Sequence, residues 1–82
     1  MALLTALDKV GPSESRRKHS TCAGTWRRAS RDGEPLIQID TFGSPEREDP
    51  GTVSQSIQID RATAAVLLDA IHKTFPDLGR GV

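Results

Sequence analysis

The clearest pattern in the chain lies between Thr52 and Asp60, where Val53, Ile57 and Ile59 alternate with Ser54, Ser56, Gln58 and Asp60. A period of two marks a strand with one apolar face. Pro35 to Phe42 repeats it, with Ile37 and Ile39 on one face and Gln38 and Asp40 on the other. Thr21 to Ser30 alternates more loosely through Cys22, Thr25 and Trp26, and Arg31-Asp32-Gly33-Glu34 follows it as an Asp-Gly hairpin turn. Beyond Asp60 the period lengthens. Ala64, Leu68, Ile71 and Phe75 recur at spacings of four, three and four, with Leu67 alongside, which predicts an amphipathic helix from Arg61 to Thr74. Asp60 suits its N-cap and Pro76 ends it, because the residue before a proline disfavours helical geometry. Asp69 and Lys73 add a favourable i,i+4 pair. At the start of the chain, Leu3, Leu7 and Val10, with Leu4 beside them, predict a short helix from Ala2 to Val10, closed by Gly11-Pro12.

Together these elements predict an α+β fold. A three-stranded antiparallel sheet packs under one C-terminal amphipathic helix, with a short N-terminal helix outside it. No fourth strand is evident in the pattern, although Ser13 to Ser20 could contribute one on binding. The expected division is a short helix and flexible basic linker over 1–20, a ββ-β-α domain over 21–76 and a loose tail over 77–82. Gly43 to Gly51 reads as a polar loop, since its two prolines do not suit a sheet interior. Ile37-Gln38-Ile39-Asp40 recurs as Ile57-Gln58-Ile59-Asp60, which two neighbouring strands sharing one buried face would produce without duplication. With the isoleucines under the helix, Gln38, Asp40, Ser54, Ser56 and Gln58 form a polar outer face, which Leu36 and Phe42 share by parity.

Composition limits what such a fold can do. Eighty-two residues with 35% apolar content and only three aromatics, Trp26, Phe42 and Phe75, make a thin core. Small chains bury proportionally little surface and commonly need disulfides, a metal or a partner. Cys22 is the only cysteine and His19 and His72 the only histidines, so neither an internal disulfide nor a four-ligand zinc set is expected. Association remains, and a homodimer or a larger partner is expected. No apolar run reaches the ~18 residues of a membrane span, and no secretion signal is recognisable. A reducing, cytoplasmic setting without membrane attachment fits best. The zero net charge conceals an asymmetry: residues 1–31 carry seven cations against two acids, a net +5, and residues 32–82 carry four against nine, a net −5. Such imbalance suits a polyanion-binding arm, or halves that neutralise one another within or between chains.

Catalytic chemistry finds little support. Ser13, Ser15 and Ser20 near His19 lack the strained elbow that a triad needs. In a strand, Cys22 and His19 would project to opposite faces. Glu46, Glu48 and Asp49 share their loop with Arg47 and Pro45 and read as a solvated turn. The glycines are scattered and form no phosphate loop. No enzyme activity and no cofactor are therefore expected.

The stretch from Trp26 to Phe75 resembles the PC4-type transcriptional-coactivator fold, in which a curved antiparallel sheet runs into one long helix. The resemblance rests on Val53 to Arg61 leading directly into Ala64-Ala65-Val66-Leu67-Leu68, and on Arg27-Arg28 in the first strand. It implies a dimer that binds single-stranded nucleic acid. In that reading Arg16, Arg17, Lys18, Arg27, Arg28 and Arg31 contact phosphates, Trp26 and Phe42 stack on bases, and Gln38 and Gln58 reach base edges. Ile37 to Ser44 and Pro50 to Gln58 also resemble small bacterial proteins of unassigned role, some carrying a methionyl-tRNA formyltransferase label. That activity needs a folate-binding domain several times this length and is not expected. The alternative to nucleic acid is a protein-binding adaptor or inhibitor subunit, using a sheet edge or the N-terminal leucines.

Overall fold

The computed structural model describes residues 1–14, 21–43 and 53–79. Its elements are β1 (Ala2–Leu4), β2 (Gly24–Arg31), β3 (Glu34–Phe42), β4 (Val53–Ile59) and α1 (Arg61–Thr74). The four strands form one sheet in the order β1-β4-β3-β2, an α+β arrangement with a single C-terminal helix.

Four elements follow directly from local chemistry. β2 and β3 pair antiparallel from Gly24↔Thr41 to Arg31↔Glu34. Their turn uses Asp32 at φ 52° and Gly33 at φ 81°. Two consecutive positive φ values match the twist of the flanking strands, which is why an Asp-Gly pair sits there. β4 returns antiparallel beside β3, with Ile37↔Ile59, Gln38↔Gln58 and Ile39↔Ile57, so the repeated tetrads lie side by side. α1 starts where expected: the Asp60 carboxylate accepts a 2.8 Å hydrogen bond from the Thr63 backbone N–H. That N–H also holds the Asp60 carboxyl below the usual carboxylate range. At the other end, the Phe75 N–H donates to the Ile71 carbonyl at 2.8 Å before Pro76 stops the helix.

Two expectations are corrected. The N-terminal leucines form no helix. Ala2–Leu4 is a strand pairing parallel to β4, with Ala2↔Ile57, Leu3↔Gln58 and Leu4↔Ile59. A nine-residue helix lacks the length to sustain its own nucleus, whereas β4 offers Leu3 and Leu4 a ladder partner and partial burial. The Thr63 hydroxyl, only 1% exposed as a residue, donates to the Leu4 carbonyl at 3.0 Å and ties the new strand to the first turn of α1. The fourth strand is therefore β1, which makes the sheet mixed; Ser13 to Ser20, which could contribute a strand on binding, lies mostly outside the described residues. The second correction concerns Val53. The register slips between Thr41↔Gln55 and Phe42↔Val53, leaving Ser54 unpaired. This irregularity breaks the alternation and sets Val53 opposite Phe42 instead of continuing the isoleucine row.

Candidate functional site

Pairing registers sort the side chains onto two faces. Arg27, Gln38 and Gln58 lie in one row with Leu3, and Thr25, Asp40 and Ser56 in the next on the same side. Trp26, Ile39 and Ile57 lie on the other side, as do Arg28, Ile37, Ile59 and Leu4.

The glutamine face closes on itself. Gln58 Nε2 donates to Gln38 Oε1 at 3.0 Å, and Gln38 Nε2 donates to the two Asp40 carboxylate oxygens at 3.1 and 3.2 Å. Arg27 Nε stands 3.9 Å from Asp40 Oδ2. The Ser56 hydroxyl first, then the Gln38 amide, with the Arg27 charge behind them, hold the Asp40 carboxyl below its ordinary range. Asp40 is only 4% exposed, its cross-strand neighbour Ser56 is buried, and Leu36 is buried further along the same face. Arg31, at the hairpin end of β2, and Leu3, on the opposite edge strand, line one cavity of about 190 Å³ with Ser56 and Gln58, so side chains from both edges of the sheet reach over this face. The amides that would reach base edges bond to one another and to a carboxylate.

The isoleucine face does the opposite. Ile37, Ile39 and Ile57 are each more than a third exposed, Trp26 is 70% exposed and Leu68 of α1 is 54% exposed. Among the described residues only Leu36 and Ile59 are buried apolar side chains. α1 is held at its first turn by the Asp60 cap and the Thr63–Leu4 bond. Between helix and sheet lies an open trough of about 550 Å³ lined by Trp26, Ile37, Ile39, Leu67, Leu68 and Ile71. It runs into a second cleft of about 350 Å³, where Arg28 and Arg61 join Trp26, Ile37 and Ala64.

The expected site residues are thus divided. Trp26 and Arg28 share the isoleucine face; Arg27, Arg31, Gln38 and Gln58 share the glutamine face with a half-buried Phe42. Trp26 and Phe42 do not form one stacking platform. Arg16, Arg17 and Lys18 lie outside the described residues. Leu67, Leu68 and Ile71 line the trough and Arg61 the cleft it runs into; the sequence pattern places these residues at the helix start and in the core, because an amphipathic stripe reads the same whether its face is covered or open.

Other chemistry is sparse. No group of three or more His, Cys, Asp or Glu side chains among the described residues is placed to hold a metal ion. Cys22 is a free, exposed thiol. No helix among these residues is long and apolar enough to cross a membrane. Comparison with protein-family models, curated proteins and solved structures finds no match to this chain.

Proposed function

We propose that this chain is a small protein-interaction module whose binding surface is the apolar trough between the isoleucine face and α1. The observation that carries this reading is an ordered trough whose walls include a mostly exposed tryptophan, exposed isoleucines and Leu68. Apolar surface left open on ordered elements stabilises nothing until something covers it. The composition agrees: tryptophan and arginine are enriched where interfaces concentrate their binding energy, and Arg28 and Arg61 rim the trough.

The test uses the dye anilinonaphthalene sulfonate together with light scattering. At micromolar chain, the trough takes up dye with a blue-shifted gain in emission, or is already covered by protein and scatters as an assembly. Leu68→Asp removes either form of occupancy while leaving the circular dichroism spectrum unchanged. A monomer that takes up no dye overturns the reading.

A second reading has its own support. Trp26, Arg28 and Arg61 line one cleft, so an aromatic face and two cations meet where a base and its phosphate would sit, as in sequence-tolerant single-strand binders and in the coactivator-like layout. Fluorescence anisotropy of a labelled single strand checks it. Micromolar binding that weakens several-fold between low and near-physiological salt and quenches Trp26 supports it; absence of binding at low salt removes it.

A further inference from the structure

The interaction reading leaves the occupant open, and resting on that reading we infer that it is a second copy of this chain. Specifically, the turn after α1 in each copy inserts its Phe75 and Leu78 side chains into the trough of the other.

The first support is area. Scaled by ordinary side-chain areas, the exposed parts of Trp26, Ile37, Ile39, Ile57 and Leu68 come to roughly 450 Å² of apolar surface on one face. A standard interface takes about 800 Å² per partner, a little over half of it apolar. The face is therefore of the size that one protein partner covers.

The second support is that the molecule carries a plug as well as a trough. Phe75 is 53% exposed and Leu78 50% exposed. The turn that presents them is ordered: the Leu78 N–H donates to the Phe75 carbonyl at 3.0 Å, and Gly79 ends it at φ 90°. The plug follows directly on the α1 stripe that walls the trough. In the inferred two-fold arrangement one axis seats both plugs and the contact closes at two copies, whereas a head-to-tail arrangement would continue into longer assemblies.

The third support is charge. Asp77 lies within the plug, while Arg28 and Arg61 rim the trough. The nearby Lys73 is already engaged by Asp69 at 2.8 Å, and His72 is exposed on the same turn. A second copy is also present wherever the chain is made. A chain with so few buried apolar side chains needs its cover whenever it is folded.

Two experiments on the full chain test the assignment. Mass by light scattering, Trp26 emission and dye uptake are followed together as concentration rises. The expected result is a dimer whose Trp26 emission shifts to the blue and whose dye is expelled as the mass doubles; a dimer at every dilution with no dye uptake agrees equally. Phe75→Asp and Leu78→Asp, both at exposed positions, return the chain to a monomer with a red-shifted Trp26. In a Cys22→Ser background, a chain carrying Leu78→Cys mixed with one carrying Ile39→Cys forms a mixed disulfide on mild oxidation. A monomer that keeps its dye at high concentration overturns the second copy while sparing the interaction reading. A monomer that never binds dye overturns both. A dimer indifferent to Phe75→Asp and Leu78→Asp, or one that forms no mixed disulfide, overturns the plug.

Discussion

The two faces of the sheet invert the usual arrangement. The glutamine face, polar in sequence, holds the most buried charged group, Asp40, in a chain of side-chain hydrogen bonds. The isoleucine face, apolar in sequence, keeps its side chains more than a third exposed. Alternation decides which residues share a face, but what lies over each face decides which one is covered. The polar side encloses groups that satisfy one another, while the apolar side stays open. Buried polar groups are tolerable here because each is paired, and no buried side-chain nitrogen or oxygen among the described residues lacks a hydrogen-bond partner.

The sharpest way to break the contrast is to remove volume from the closed side. Leu36→Ala, at a buried position, is expected to cost about 3 kcal/mol of unfolding free energy, measured by urea titration and unchanged by dilution. Ile39→Ser on the open side changes stability chiefly through association, so its effect fades as the chain is diluted. If both variants respond alike to concentration, the two faces are not functionally distinct.

A smaller effect tests how α1 is held. Thr63→Val keeps the shape but loses the bond to the Leu4 carbonyl, leaving that acceptor without its side-chain donor. The expected loss is about 1–2 kcal/mol, with faster amide exchange in β1 and unchanged exchange across the β2–β3 hairpin. Gly33→Ala places a β-carbon at φ 81° and should cost about 1 kcal/mol. It loosens the β2–β3 hairpin, so amide exchange should quicken in the ladder next to the turn, at Arg31 and Glu34.

The smallest effect is read in acid. The folded Asp40 carboxyl sits below its unfolded value because Ser56, Gln38 and Arg27 favour the charged form. Its contribution is complete above the ordinary aspartate value of about 4 and is lost as pH falls through the lower folded value. Thermal unfolding between pH 7 and pH 2 should therefore show a shallower acid decline in Asp40→Asn than in the native chain. Parallel declines would mean that the carboxylate is not held as described.

Much of the fold is legible in short-range pattern. The hairpin follows from Asp32-Gly33, α1 from Asp60, the 3.6-residue stripe and Pro76, and the pairing of β3 with β4 from the repeated tetrads. The N-terminal segment reads as a helix in the sequence because Leu3, Leu4, Leu7 and Val10 fit a helical stripe, yet it forms a strand. The gain from joining β4 comes from residues more than fifty positions away. Trp26 was grouped with Gln38, Gln58 and Phe42 because a loosely alternating strand does not reveal its register, which only the pairing Trp26↔Ile39 settles. Arg16, Arg17 and Lys18 lie outside the described residues.

By itself, then, the sequence determined the local conformations: where the chain turns, where a helix begins and ends, and which residues alternate. Those outcomes depend on hydrogen bonds and steric limits within a few residues. Only the tertiary structure decided that the first strand lies parallel to the last, that the face carrying the amides and the carboxylate is the buried one, and that the isoleucine face stays open beside α1. These depend on how much surface distant segments cover when they meet, and a one-dimensional pattern does not encode that quantity.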